Sequence, residues 1–478
     1  MSRSDGKLLH EECGVLGIYS ARPAALAETA YYGLFALQHR GQESAGLAVS
    51  DGDVFRQKRD VGLVSEVFDS ETLHELGDCR VAVGHVRYST TGGEIERNVQ
   101  PIIIDQSPSP LALAHNGNLT NAAALRLEME LNGVIFHTTT DSEIAACLIA
   151  RERMRHADIV EAAAAAMARL EGAYSLVFSS GDRLTACRDP FGFRPLCMGR
   201  DSEGRLFFAS ESCALDSMGA ELVRDILPGE IVSIGPEGVR TDRRYCGVKP
   251  RRLCVFEYIY FARPDSVIEG ASVSAARQRA GRLLARESPV AADVVIGVPD
   301  SGLEGALGYA AESGIPYELG FIKNKYIGRT FIAPGQSLRE ERVGIKLNPI
   351  RSVVAGKRVI LIDDSLVRGT TSRRIIAQLR RAGAAAVHLR VTAPAFISPC
   401  FYGTDIDSSS GLIACGRSPE EIARLIGADS LAFLSRDSVV RLTGKAEDGF
   451  CTACFSGEYP TAIPKPGQKN QFENSSCV

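Results

Sequence analysis

Residues 359–371 read VILIDDSLVRGTT, and their order is that of an anion site. Four apolar residues end in two adjacent carboxylates, Asp363 and Asp364, and a short polar loop leads into the helical pattern SRRIIAQLRRAG. The apolar run predicts a buried strand, and Gly383 is placed to end the helix. Strand, loop and helix N-terminus together can turn the backbone N–H groups of Arg368, Gly369, Thr370 and Thr371 onto a phosphate, with the helix dipole behind them. Gly369 permits close backbone approach. Asp363 and Asp364 stand where they could hold ribose hydroxyls or a hard cation such as Mg2+. No GxxxxGK[ST] occurs, so this is not a Walker A loop. The bland alternative is an ordinary strand-to-helix turn.

Thiols offer a second chemistry. Cys13 stands directly before the apolar run GVLGIY, and the polar blocks LQHRGQESAG (37–46), GHVRYSTTGG (84–93), LAHNGNLTN (113–121) and TTTDSEI (138–144) follow it. A lone cysteine is more often buried structure than nucleophile, and Cys79, Cys147, Cys187, Cys197 and Cys213 are read that way. Cys451 and Cys454 form a CxxC in GFCTACFSGEYP, with Cys254 and Cys400 in other segments. A CxxC by itself fits zinc, a redox pair or nothing. Four thiolates from three segments fit an all-cysteine site for zinc or an iron–sulfur cluster, and residue chemistry does not separate the two.

The elements that must position these groups fall into two sets. Thr140 to Glu143 has capping-box spacing, which starts a helix near Asp141. AYSLVFSS and LTACRDPFGFRPL read as strands joined at Gly181-Asp182, and strands interleaved with helical stretches predict a layered sheet-and-helix domain. A second domain begins near Lys249. There the runs 294–298, 359–363 and 387–391 alternate with helical patterns at 271–288, 302–314 and 370–383, which predicts a mostly parallel α/β sheet. Ligands of such sheets bind beyond the carboxyl ends of the strands. GVPDSG (297–302) falls at such an end, so Ser301 could join Asp363 and Asp364 around Mg2+. Residues 323–340, rich in basic residues, Gly and Pro, read as a mobile loop, and 465–478 as a disordered tail.

At 478 residues, 45% hydrophobic, the chain can build two or three cored domains. A net charge of −4 and pI near 6.1 give no signal for nucleic acid or an anionic membrane. No apolar run spans a bilayer, and MSRSDGKLLHEE has no secretory h-region. The thirteen cysteines are therefore expected to stay reduced or bind metal, in the cytoplasm.

The block at 359–371 resembles the phosphoribosyl-pyrophosphate (PRPP) motif of type I phosphoribosyltransferases. The N-terminal blocks resemble class II glutamine amidotransferases, which are N-terminal nucleophile hydrolases. The resemblance implies an αββα sandwich over 13–248, a phosphoribosyltransferase α/β domain over 249–440, and a C-terminal segment, 441–478, with cluster ligands and a flexible tail. It implies that residues 1–12 are a propeptide and that Cys13 becomes the mature N-terminus, its own α-amino group (intrinsic pKa about 8) acting as general base. Asn116 and Gly117 would donate to the oxyanion formed when the thiolate attacks a glutamine amide. Arg87 would clamp the glutamine carboxylate and Asp141 its ammonium. An Asn-Gly turn, a surface ion pair and a helix cap are the bland readings of those residues. Lys323, Lys325 and Arg329 would close over the pyrophosphate. At Lys325 the family pattern has Arg, and Lys keeps the charge without the planar fork.

Cys254, Cys400, Cys451 and Cys454 match the [4Fe–4S] ligands of one branch of the glutamine phosphoribosylpyrophosphate amidotransferases, the branch that also carries a propeptide. Cys246, Cys415 and Cys477 match no ligand position. The implied reaction takes glutamine, PRPP and water to 5-phosphoribosylamine, glutamate and pyrophosphate, the first committed step of purine synthesis, with ammonia passed internally. The implied assembly is a homotetramer inhibited by purine nucleotides. Other glutamine-dependent enzymes would replace the 359–371 block with an isomerase or ATP-pyrophosphatase domain. A PRPP-binding repressor would replace the N-terminal half, and a degenerate paralogue would keep both without turnover.

Overall fold

The run after Cys13 forms the strand Gly14–Ala24, whose first seven residues are buried. It lies inside a seven-stranded sheet, antiparallel to Cys79–Arg87 on one side and Leu206–Ala209 on the other. A second sheet, of six strands, carries Leu111–Leu119 beside Gly172–Ser180. Val15, Val83, Ala114, Val177 and Phe208 form the core between the two sheets. Leu26–Ala36 covers the outer face of the first sheet, and Asp141–Arg153 with Ile159–Met167 covers that of the second. This is the αββα order that the resemblance implied. The computed structural model describes residues 13–52, 54–88, 96–106, 110–324, 347–406, 408–445 and 449–464. The expected propeptide (1–12), Lys325, Arg329, Cys477, the tail and most of the expected 323–340 loop lie outside them.

Local expectations are corrected in three places. Thr140 caps the helix Asp141–Arg153 through the Ser142 N–H, but Glu143 does not complete the box. Its carboxylate accepts from the N–H groups of His137 and Thr138, donors of the preceding loop that spacing alone does not reveal. The strand expected over 184–196 stops at Arg188. There Asp189, buried and pushed up to about 6 by that burial, gathers the N–H groups of Tyr174, Phe191, Gly192 and Phe193 and bends the chain. Cys79, Cys187, Cys197 and Cys213 are buried as expected, whereas Cys147 sits half-buried at the margin of the core.

In the C-terminal half four parallel strands stand in the order Val294–Gly297, Arg358–Asp363, Ala386–Val391, Ser430–Phe433. The fourth was not anticipated, because a four-residue Ser-Leu-Ala-Phe run is too short to carry a period. The helices Val273–Glu287, Leu303–Ser313 and Thr370–Arg381 lie where their patterns put them. The strand Leu253–Cys254 pairs in parallel with Phe450–Cys451, so the end of the described chain folds back onto the start of this half. Phe193, from the N-terminal half, enters its core and stacks on Tyr402 with ring centroids 4.2 Å apart. No helix among the described residues is long and apolar enough to cross a membrane.

The helices Val273–Glu287 and Leu303–Ser313 touch backbone to backbone. A Cβ added at Gly281 would lie 1.9 Å from the carbonyl oxygen of Gly305. Gly281→Ala is therefore expected to destabilise the fold by about 1–3 kcal/mol, the usual cost of overpacking. Calorimetry should show a lowered unfolding midpoint; an unchanged one would mean that the helices separate freely.

Candidate active sites

Cys13 is half-buried, and its thiol donates to the carbonyl oxygen of Tyr88 at 3.7 Å. Gly14 pairs with Val86, so Cys13 and the buried Arg87 meet at the same end of neighbouring strands. Asn116 and Gly117 lie on Leu111–Leu119 in the facing sheet. The two sheets touch here, because His85 donates through Nε2 to the carbonyl of His115 at 3.0 Å.

Asn116 is 1% exposed, and its amide nitrogen has no hydrogen-bond partner among the described residues. A buried donor left unpaired costs about 1–3 kcal/mol, so an acceptor arriving with a ligand would recover that cost. Gly117 has φ 140°, and a Cβ there would lie 2.1 Å from the carbonyl oxygen of Ala173, so only glycine fits. Asn116-Gly117 is thus part of a strand rather than a turn. Asp141 opens its helix, with Oδ2 accepting the Leu119 N–H at 2.8 Å and Oδ1 3.6 Å from His115 Nδ1. Burial works against its charge, but His115 and the Leu119 N–H outweigh it and hold the carboxyl below its ordinary value. Thr140, not Asp141, is the cap.

Sequence reading missed the supports of this site. Gln100 accepts the His115 N–H at 2.8 Å and donates to Ser142 Oγ at 3.0 Å, and His115 Nδ1 lies 3.1 Å from the same hydroxyl. His85 is driven down to about 3 by burial and stays neutral. The available signal was adjacency, since His85 and His115 stand within two residues of Arg87 and Asn116.

The second site lies at the carboxyl ends of Val294–Gly297 and Arg358–Asp363, which are neighbours. The Ser301 side chain lies against Asp364 and favours its charge. Asp363 and Asp364 are both buried, and burial raises both carboxyls, with the Asp364 charge adding to the effect on Asp363. Arg277, a buried arginine that sequence reading did not single out, favours the charge of Asp364. Gly369 adopts φ 75° as the cap of Thr370–Arg381, so Thr370 and Thr371 form its first turn beside Arg368. Lys323 pairs with Asp300 of the GVPDSG loop and so reaches the rim of this site.

Three segments converge at the thiols. Cys254 and Cys451 stand opposite one another, Cys454 receives the Ile397 and Ser398 N–H groups on its carbonyl, and Cys400 Sγ accepts from the Tyr402 N–H at 3.4 Å. Burial, then Cys400, Cys254 and Cys451, raise the Cys454 thiol, and burial pushes Cys451 up to about 12. None of the four is joined in a disulfide among the described residues. No group of three or more His, Cys, Asp or Glu among the described residues is arranged to hold a single metal ion.

Residues 85–217 match the glutamine amidotransferase domain family, and residues 272–395 match the phosphoribosyl transferase domain family. An amidophosphoribosyltransferase from Methanocaldococcus jannaschii is 49% identical over 465 residues, covering 94% of this chain and 98% of that protein. The chain belongs to the amidophosphoribosyltransferase family. An amidophosphoribosyltransferase of Synechocystis is 50% identical over 465 residues, 97% of this chain and 93% of its own. The solved structure of glutamine PRPP amidotransferase from B. subtilis, complexed with ADP and GMP, superposes with a TM-score of 0.88 at 46% identity, over 95% of this chain and 98% of that one. The reaction is that of the first step of purine biosynthesis, in which glutamine, PRPP and water give 5-phosphoribosylamine, glutamate and pyrophosphate. The two matched families are the pair that the N-terminal blocks and the 359–371 block each resembled.

Proposed function

We propose that Cys13 is the glutaminase nucleophile and that the unpartnered amide of Asn116 is its oxyanion donor. The buried orphan nitrogen of Asn116 carries this reading. Removal of residues 1–12 frees the Cys13 α-amino group to take the thiol proton. The thiolate attacks the side-chain carbonyl of glutamine, held by Arg87 and Asp141, and charge develops on an oxygen facing Asn116 and the Gly117 N–H. Ammonia leaves, and water cleaves the thioester to glutamate. Ammonia then attacks C1 of the ribose while pyrophosphate departs. Arg368, Gly369, Thr370 and Thr371 cradle the 5-phosphate side, and Lys323 neutralises the pyrophosphate, a task that the resemblance also gives to Lys325 and Arg329.

The residues fit two inorganic groups. Asp363 and Asp364, raised by burial and proximity and joined by Ser301, suit Mg2+, which would neutralise the leaving pyrophosphate. Cys254, Cys400, Cys451 and Cys454 suit a [4Fe–4S] cluster, whose cationic iron would favour thiolates that burial and mutual repulsion disfavour. Each of the four cysteines would ligate its own iron, so their thiolates need not converge on one point. Reduced thiols accord with a cytoplasmic setting. Purine-nucleotide inhibition and a homotetramer complete the proposal; the bound ADP and GMP of the B. subtilis relative support the first.

Cys13→Ala is expected to abolish glutamine-dependent synthesis and to spare synthesis from ammonia at high pH, where the free base is abundant. Asp363→Asn with Asp364→Asn should remove both activities. Loss of both in Cys13→Ala, or PRPP consumption in the double variant, would contradict the assignment.

Anaerobically purified protein should contain about four iron, with acid-labile sulfide, per chain. Cys451→Ser should lose that iron and unfold more readily. A stable, active, iron-free wild type would refute the cluster.

A further inference from the structure

Neither site uses a cluster of fully buried charges that lies between the two halves. The side chains of Arg40, Arg194, Glu211 and Glu257 are all 0% exposed. Arg40 Nη1 donates to Glu211 at 2.6 Å and to Glu257 Oε2 at 2.9 Å, and its Nη2 donates to Glu257 Oε1 at 2.8 Å. Its Nε donates to the carbonyl oxygen of Cys13 itself, at 3.1 Å. Arg194 Nη1 donates to the same carboxylate, sharing Glu257 Oε1 with Arg40, at 3.3 Å. Its Nε and Nη2 grip the carbonyl of Tyr402 at 3.2 and 2.6 Å.

The loop so gripped packs on the oxyanion strand. Asn118 donates to the Phe401 carbonyl at 3.0 Å, and a Cβ on Gly403 would lie 3.5 Å from the backbone of Gly117. One carboxylate from the C-terminal half therefore anchors two arginines. Arg40 holds the residue bearing the thiol, and Arg194 holds the loop behind Gly117. Glu257 also begins a π-helical turn, Glu257–Phe261, whose neighbouring carbonyls at Tyr258, Tyr260 and Ala262 are held by Arg277 at 2.9, 2.9 and 2.7 Å. Such turns are rare and concentrate at functional sites. A buried ion cluster is seldom more stable than an apolar core of equal volume, so geometry is the stronger reason to keep one.

We propose that Glu257 is a positioning residue of the glutaminase centre, supplied by the other half of the chain. The proposal rests on Cys13 being the nucleophile. Glu257 touches no reacting atom and acts by fixing the spacing between the Cys13 backbone and the Gly117 strand.

The test is Glu257→Gln, with glutamine- and ammonia-dependent synthesis measured on the same preparation. The kcat with glutamine should fall about tenfold to a hundredfold, the order expected for a misplacement near one ångström. The KM for glutamine should hold, because Arg87 and Asp141 are untouched, and the ammonia-dependent rate should be retained. Glu257→Asp keeps the charge at shorter reach. It should show a smaller loss with the same selectivity, and it decides the matter if the Gln variant fails to fold. Equal loss of both activities, or an undiminished kcat with glutamine, would overturn the proposal. Cys13→Ala runs alongside. If it keeps glutamine-dependent synthesis the nucleophile assignment has failed; if only the Glu257 variants are normal, this inference alone has failed.

Discussion

Glu257 cannot give up water without partners, and among the described residues its carboxylate meets them across the junction between the halves. Both arginines that meet its carboxylate come from the N-terminal half, and both are as deeply buried as it is. Breaking a buried ion pair by removing one partner typically costs about 3–5 kcal/mol. Glu211 completes the charge balance. Burial opposes its ionisation, but His39 and Arg40 outweigh it and hold its carboxyl far below the ordinary range. The junction is therefore specified by charge and direction rather than by apolar area alone.

Around that junction each half places its chemistry by a different rule. In the antiparallel layers, the ends of facing strands bring Cys13 and Arg87 near Asn116 and Gly117. In the parallel sheet, the carboxyl ends of adjacent strands bring Ser301 to Asp364. The loop at 400–406 belongs to both regions, since it carries Cys400 and packs on the strand Leu111–Leu119. The thiol neighbourhood thus sits next to the glutaminase rather than at the edge of the fold.

Much of this was legible from local pattern. Short apolar runs gave the first three parallel strands, helical periodicity gave the helices between them, and the acidic pair marked the carboxyl end of Arg358–Asp363. What escaped was non-local. Arg40 is 171 residues from Glu211 and 217 from Glu257, and no window along the chain relates them. Asp189 ended a strand through hydrogen bonds to residues on both sides of a bend. Glu143 had the spacing of one motif and served another, because the loop before it held nearer donors. The fourth strand, Ser430–Phe433, is a strand only because Ala386–Val391 offers an edge.

The central claim is that one chain frees nitrogen at Cys13 and delivers it to the ribose without releasing it to solvent. The most direct measurement is turnover of glutamine labelled with 15N in its amide, at neutral pH, in a buffer containing unlabelled ammonium. Mass spectrometry of the trapped 5-phosphoribosylamine should find the label retained. A product whose isotope content follows the ammonium pool would show that the two sites work separately, and would contradict the account.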